Sequence, residues 1–174
     1  SVYGGINSYK FSKKGVIVKS LKISNYTLER LEDNLCLFFT KFSRNADKIL
    51  KKQNAQTKKK NKDIIDNLNY NKELGLKSKN FLEDGNLDDF AEVLNEQWRC
   101  KFERSPETIN PRIRHLYQLG LKNGALGGKL VGAGGGGFLL FYAHDKKKLV
   151  NRMAKEGIEE LRFSFDFNGV TRIL

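Results

Sequence analysis

The sequence predicts an α+β fold in which an antiparallel sheet carries helices on one face, and three observations support this class. Two apolar runs of strand length lie at residues 35–40 and 138–142. Elsewhere, apolar residues recur at helical spacing in several longer segments. Residues 161–167 alternate apolar and polar side chains, which is typical of a half-buried strand. Strands with helices packed on one face of their sheet form a ferredoxin-like architecture.

The chain opens with two short segments that are rich in β-forming residues. Residues 2–11 and 15–23 are joined around residues 12–14, which predicts a hairpin. The apolar run at 35–40 is almost unbroken, so we expect a buried central strand there. Ser43 is then a candidate N-cap for a helix, because apolar residues follow it at helical spacing.

Two longer helices are predicted in the middle of the chain. Residues 61–82 carry a sparse apolar stripe, and Gly75 and Gly85 mark positions where this helix could break. Residues 86–102 give the clearest amphipathic pattern, with the apolar side chains on one face. Its first turn holds Asp88 and Asp89, where the helix dipole favours acidic side chains.

Two capped helices and a strand complete the prediction. Asn110 is a candidate N-cap, and Pro111 occupies the first helical position, where proline is well tolerated. Asp145 is a candidate N-cap for another helix, which Gly157 ends. The alternating strand at 161–167 follows, and Gly169 bends the chain after it.

Length and composition predict one globular domain. The chain has 174 residues, of which 39% are hydrophobic. No run approaches the roughly 20 apolar residues that a membrane-spanning helix needs, so we expect no membrane partner. Cys36 and Cys100 have neither metal-ligand spacing nor the density of a disulfide scaffold. We therefore expect reduced thiols, a cytoplasmic location and no metal site in this chain.

The formal charge of +12 raises the question of nucleic-acid binding. Much of it is local, because residues 41–62 hold nine basic side chains against a single acid, Asp47. Lysine runs of this kind more often form a solvated helix face than a binding surface. Lysine also outnumbers arginine, whereas dedicated phosphate sites favour the arginine fork. The charge alone does not predict a nucleic-acid partner.

The most informative stretch is KLVGAGGGGFLLFYA at residues 129–143, in which a glycine run leads directly into a strand. Successive glycines reach positive φ without penalty, so their amides can form a concavity close to an anion or to another loop. The stretch has neither the Lys-Ser/Thr of a P-loop nor a GxGxxG before a helix. A phosphate neighbourhood and a tight backbone turn both remain open on these residues alone.

Residues 94–143, which contain this stretch, resemble the third conserved motif of the GHMP small-molecule kinases. Within that superfamily the sequence looks most like the sugar kinases related to D-glycero-D-manno-heptose 7-phosphate kinase. Three other segments agree in order and spacing: YGGIN at 3–7, LCLFFTKFSRNADKIL at 35–50, and Trp98 followed three residues later by Lys101. The resemblance covers nearly the whole chain.

The resemblance implies a GHMP kinase C-terminal domain at residues 31–174. Residues 1–30 would be a hairpin and connection belonging to the edge of a missing N-terminal kinase domain. The Ser-rich phosphate loop of these kinases has no counterpart in the sequence, and their catalytic aspartate would fall just before Ser1. We therefore expect no catalytic residue in this chain, and no kinase activity from the chain alone.

By the same resemblance, the chain contributes one wall of an ATP-dependent active site. The glycine run would pack against the missing phosphate loop, while ATP and Mg²⁺ would be bound mainly by the N-terminal part. The expected partners are thus ATP, a sugar or sugar phosphate, and the missing half. The predicted cofactor-binding residues are Gly132, Ala133, Gly134, Gly135, Gly136 and Gly137.

Three residues are predicted to contact the substrate. Arg44 lies at a strand-to-helix turn that is attractive to anions, although an ion pair with Asp47 is an equal alternative. Lys101 lies beside an apolar helix stripe, where an oxyanion partner is plausible. Trp98 lies on that stripe, so a core position competes with sugar stacking. Lys129 could face phosphate or solvent.

The leading function is phosphorylation of a sugar hydroxyl, at the anomeric position of a heptose 7-phosphate. A fucokinase-like or galactokinase-like activity is an alternative within the same superfamily. A basic ferredoxin-like module that stacks RNA bases on Phe163, Phe165 and Phe167 is an alternative from another class. A third possibility is a natural separate half, acting as a partner subunit or pseudoenzyme.

Overall fold

The computed structural model describes residues 3–42, 62–104, 110–132 and 136–170. Within these ranges the strands are β1 (Asn7–Ser12), β2 (Gly15–Ser20), β3 (Leu35–Phe39), β4 (Ala125–Val131) and β5 (Phe138–Ala143). The helices are α1 (Asn25–Asn34), α2 (Lys62–Asp84), α3 (Leu87–Arg104), α4 (Pro111–Lys122) and α5 (Lys146–Lys155). The helix predicted after Ser43 lies outside the described residues.

The strands form an antiparallel hairpin and an antiparallel three-stranded sheet. β1 pairs with β2, and the second sheet has the order β3-β5-β4. The sequence of β5 is apolar at every position, because side chains of a central strand alternate between two faces that are both partly covered. The predicted α+β fold with an antiparallel sheet is confirmed.

The first core cluster lies between one face of the sheet and helices α4 and α5. Ile113 and Leu116 of α4 and Leu149 and Met153 of α5 are fully buried against Phe141. Both helices begin at the predicted caps: the Asn110 side chain accepts from the Arg112 amide, and that of Asp145 accepts from the Lys148 amide. These caps fix where each helix starts and hence which face it buries.

The second core cluster lies on the opposite face of the sheet, away from the β4–β5 connection. Leu31 of α1 packs there with Leu87 and Phe90 of α3 against Leu35 and Tyr142 of the sheet. Helix α1 was not predicted, and the expected domain boundary after residue 30 falls inside it. The base of the hairpin packs against the same cluster through Ile6 and Leu21. The division at residue 30 stays a prediction.

Helix α3 runs along the outer edge of β4, where a further strand would otherwise pair. The Asn95 side chain donates to the Leu126 carbonyl at 3.1 Å and accepts from the Gly128 amide at 3.0 Å. It also accepts from the Tyr117 hydroxyl at 2.7 Å. A Cβ on Gly127 would overlap the Ala91 carbonyl, so the helix and strand are closer than any side chain would allow.

Two other predictions are settled by the described residues. Of the two possible break points in helix α2, Gly75 is wrong because the helix continues through it, whereas the helix does end before Gly85, which has a φ of +76°. The strand predicted at 161–167 is wrong, because its backbone pairs with the sheet only through a Phe38–Glu160 bridge and a 2.7 Å hydrogen bond from the Leu161 amide to the Leu37 carbonyl. Alternation of side chains predicts two faces, but it does not supply a backbone partner.

Candidate functional site

The glycine loop, defined as residues 132–137, joins β4 to β5 at one end of the three-stranded sheet. Gly132 and Gly137 have φ values of +91° and +100°, a region that residues with side chains rarely adopt. No atom would lie within 4 Å of a Cβ on Gly132, so this side of the backbone is open. The structure describes Gly132, Gly136 and Gly137, whereas Ala133, Gly134 and Gly135 lie outside the described residues.

The end of the glycine loop is bonded to the segment that follows β3. The amide and the hydroxyl of Thr40 both donate to the Gly137 carbonyl, at 2.9 and 2.8 Å. The Gly137 amide donates in turn to the Phe42 carbonyl at 2.8 Å. Thr40 is a buried polar residue whose hydroxyl is thereby satisfied. These bonds extend the β3–β5 pairing to the edge of the loop.

Lys41 lies between these bonded residues in a left-handed conformation, with a φ of +61°. A non-glycine residue in this region is held there by its surroundings at a cost of about 1–2 kcal/mol. Here the bonds of Thr40 and Phe42 to Gly137 hold the backbone on both sides. The sequence carries no signal for this turn, since lysine does not favour positive φ. Lys41 is separated by Phe42 from Ser43 and Arg44, which lie outside the described residues.

The start of the glycine loop is contacted by Lys101. Its ammonium donates to the carbonyls of Leu130 and Gly132, at 3.0 and 2.5 Å. The pKa of Lys101 is lowered to about 8, chiefly by burial of the ammonium and secondarily by the nearby positive charges of Lys129 and Arg104. Lys101 was predicted to bind a substrate oxyanion; within the described residues its polar contacts are these two carbonyls.

Lys129 lies in β4 and its side chain turns toward α3. Its ammonium donates to the Gln97 side chain at 2.8 Å, and Gln97 donates to Ser78 of α2 at 3.3 Å. Burial lowers the pKa of Lys129 as well. The sequence left open whether Lys129 faces phosphate or solvent. In the structure its ammonium is desolvated and does not extend into solvent. The site thus places two desolvated ammonium groups beside the start of the glycine loop.

Trp98 lies in the first core cluster. Its ring stacks on that of Tyr117 with centroids 4.5 Å apart, and only 7% of the residue is exposed. This position matches the core alternative of the sequence analysis, and the substrate role stays a prediction. Arg44, the third predicted substrate residue, lies outside the described residues, so its contacts are not described.

An apolar row crosses the sheet beside the glycine loop. Phe39, Phe138 and Val131 are register partners at the loop end, and Phe39 and Val131 are 43% and 38% exposed.

The three phenylalanine rings proposed for RNA stacking do not form such a row. Phe163 and Phe165 pack against the second core cluster, and only Phe167 is largely exposed. These three rings do not share a sheet face.

Two further features concern partners. Among the residues that the structure describes, no group of three or more His, Cys, Asp or Glu side chains is arranged to hold a metal ion. Of the helices in the described ranges, none is long and apolar enough to cross a membrane.

Comparisons with known proteins relate the chain to a kinase family. Residues 78–159 match the family described as GHMP kinases C terminal. The chain is 32% identical over 173 residues to a D-glycero-alpha-D-manno-heptose 7-phosphate kinase of Campylobacter jejuni, covering 98% of this chain and 50% of that protein. It is 30% identical over 131 residues to a bifunctional fucokinase/GDP-fucose pyrophosphorylase of Arabidopsis thaliana, covering 75% of this chain and 12% of that protein.

The fold is also shared with a solved structure. Mevalonate kinase of L. major, in complex with R-mevalonate, superposes with a TM-score of 0.77 at 15% identity. The match covers 97% of this chain and 51% of that chain, and at this identity it shows the fold alone. The chain spans about half the length of the heptose 7-phosphate kinase that it matches.

Proposed function

The chain carries the C-terminal domain of the GHMP kinases, and on that premise we propose that it is the C-terminal part of an ATP-dependent sugar kinase. The proposed acceptor is the anomeric hydroxyl of a heptose 7-phosphate. Identity of 32% over 98% of the chain to a heptose 7-phosphate kinase supports this choice of substrate class. Because the chain spans half of that relative, the activity belongs to the proposed complete enzyme.

The observation that carries the proposal is the glycine loop bonded at both of its ends. Phosphoryl transfer depends on positioning and on stabilising the charge of the phosphate oxygens. A loop without side chains lets a second backbone approach closely, and the contacts of Lys101 and Thr40 fix where the loop starts and ends. We propose that the loop packs against a phosphate loop from the N-terminal part and fixes its shape.

The remaining parts of the reaction are assigned to the segment that precedes this chain. We propose that this segment binds most of the ATP and Mg²⁺ and supplies the catalytic aspartate, as the family resemblance implies. The chain alone is then expected to be inactive. A cytoplasmic location is part of the proposal, because Cys36 and Cys100 are buried free thiols, which suit a reducing compartment.

The test uses the full-length protein with ATP and heptose 7-phosphate, and measures formation of the sugar bisphosphate. We expect turnover by the full-length protein and none above background by the 174-residue chain. Gly136→Val should remove most turnover while the domain stays folded. Gly75→Val is the matched control, because Gly75 has open space around it on the exposed side of α2 and lies far from the loop in sequence.

Equal turnover of Gly136→Val and wild type would reject the packing role of the loop. Turnover by the chain alone would reject the assignment of the catalytic parts to another segment. Failure of the full-length protein to phosphorylate any sugar would reject the kinase itself.

A fucokinase-like activity is the second candidate, because a protein with fucokinase in its name matches three quarters of the chain at 30% identity. The two candidates differ in the charge of the substrate. Competition between heptose 7-phosphate and an unphosphorylated sugar, fucose or galactose, distinguishes them by the ratio of kcat/KM. A ratio that favours the unphosphorylated sugar would replace the leading proposal with this one.

A further inference from the structure

The outer edge of β4 is completed by side chains of α3 in place of another strand. In an antiparallel strand, alternate residues direct their backbone groups to the same edge. On the edge of β4 that faces away from β5, Asn95 bonds Leu126 and Gly128. The next positions in this series are Leu130 and Gly132, and Lys101 bonds both of their carbonyls. The helix thus follows the strand edge up to the start of the glycine loop.

Lys101 holds a position that packing alone does not explain. A lysine in a partly buried site normally extends its ammonium to water. Here the ammonium turns to two main-chain oxygens, although burial and the charges of Lys129 and Arg104 disfavour its charged form. Hydrogen bonds from a charged donor are stronger than those from a neutral donor. The Lys101 ammonium donates two of them, to the carbonyls of Leu130 and Gly132, which are separated by one residue.

We propose that Lys101 is a positioning residue, which fixes the start of the glycine loop through the Leu130 and Gly132 carbonyls and does not itself contact the sugar. Gly132 lacks a side chain to restrict its φ, and it has open space around it. Without the bonds of Lys101 its peptide is free to rotate, and the direction in which the loop leaves β4 is no longer fixed. The kinetic part of this inference rests on the proposed function, whereas the structural part does not.

The structural part is tested on the 174-residue chain by NMR. The carbonyl ¹³C resonances of Leu130 and Gly132 report hydrogen bonding to their oxygens. We expect both to shift upfield in Lys101→Met, together with faster amide hydrogen exchange in the loop. Lys101→Arg, which keeps the charge and several donors, should retain the wild-type shifts of at least one carbonyl. Lys122→Met, at an exposed position of α4, is the control for loss of one positive charge.

Unchanged carbonyl shifts in Lys101→Met would overturn the proposal, because the bonds would then not exist in solution. A thermal unfolding transition measured for each variant separates loss of the bonds from loss of the fold. If Lys101→Met does not fold, Lys101→Gln and Lys101→Arg provide the same comparison with smaller changes. These outcomes do not depend on whether the protein phosphorylates a heptose.

The kinetic part is tested on the full-length protein. We expect Lys101→Met to lower kcat/KM for ATP about ten- to a hundredfold, the loss associated with one or two charge-assisted hydrogen bonds. KM for the sugar should stay within about twofold of wild type, and Lys101→Arg should recover part of the activity. A rise in KM for the sugar with an unchanged KM for ATP would overturn the proposal and make Lys101 a substrate ligand instead.

Discussion

The two ends of β4 both need glycine, for opposite reasons. At the end next to α4, Gly127 and Gly128 are buried, and a Cβ on either would overlap neighbouring atoms of Ala91 or Phe141. At the other end, Gly132 has nothing within 4 Å and needs glycine for its φ of +91°. The strand thus contains glycines that allow close packing, and the residue that directly follows it is a glycine that allows an unusual backbone conformation. We call these the closed end and the open end of β4.

The closed end sets how near the helices lie to the sheet. Gly120 of α4 also packs on Phe141, with a Cβ position 2.5 Å from the ring. Helix α3 approaches β4 at Gly127, which is why Asn95 can reach the strand edge with both of its polar atoms. The same approach brings Lys101 within reach of the open end. Packing at the closed end is therefore a condition for the contacts at the glycine loop.

The first prediction concerns Gly127→Ala, which tests the close packing of α3 against the closed end of β4. The added methyl would overlap the backbone of α3, which cannot move without disturbing the second core cluster. We expect the free energy of unfolding to fall by about 3 kcal/mol or more, the upper end of the cost of overpacking in a core. Urea denaturation of the chain measures this. A loss below about 1 kcal/mol would show that helix and strand are not in close contact.

The second prediction concerns Asn95→Ala, which removes the side chain that joins α3 to β4. The change leaves the Gly128 amide, the Leu126 carbonyl and the Tyr117 hydroxyl without this partner. We expect a loss of about 2–3 kcal/mol, because unsatisfied buried polar groups cost their full desolvation. Asn151→Ala, at an exposed position of α5, is the matched control and should be neutral or slightly stabilising. Equal stabilities of the two variants would contradict the role of Asn95.

The sequence predicted the helices around β4 better than the strand itself. Helix α3 follows from its apolar period, and the starts of α4 and α5 follow from Asn110 and Asp145. The strand sequence ALGGKLV has two adjacent glycines and no clear alternation, so its local preference does not indicate a strand. Its conformation is imposed by pairing with β5 and by side chains of α3. Such tertiary causes are not visible in a short window of sequence.

The residues around the candidate site were also predicted only in part, because several of their contacts are tertiary. The glycine run was identified from composition, because four adjacent glycines are unusual before an apolar strand. Two neighbouring residues were not identified: Thr40, which bonds Gly137, and Gln97, which bonds Lys129, are ordinary polar residues distant in sequence from the loop. The left-handed conformation of Lys41 results from bonds to Gly137 that form only in the folded sheet. Helix α1 was missed because Thr27 and Leu31 are its only buried residues.

The third prediction tests the open end with Gly132→Ala. No atom opposes the methyl group, so the cost arises from the positive φ and should be about 1 kcal/mol. The variant should therefore lose much less stability than Gly127→Ala. Urea denaturation of both variants under the same conditions makes the comparison. A cost for Gly132→Ala as large as that for Gly127→Ala would remove the distinction between the two ends.

The fourth prediction is a dependence on pH at the open end. The pKa of Lys101 in the folded chain is about 8, below its ordinary value of 10.5, mainly because the ammonium is desolvated and secondarily because Lys129 and Arg104 are near. Between these two values the unfolded chain binds more protons than the folded chain, so this group makes the free energy of unfolding rise with pH. The neutral amine still donates hydrogen bonds, so the contact with the loop is weakened but not lost.

Other groups titrate in the same range and have the opposite sign, since burial raises the pKa of Cys36 to about 12. The informative quantity is therefore the stability of wild type minus that of Lys101→Met, measured by urea denaturation at several pH values from 7.5 to about 10. This difference should rise with pH. A flat difference for Lys101→Met would mean that its ammonium is hydrated as in the unfolded chain, and the contact of Lys101 with the start of the glycine loop would then have to be abandoned.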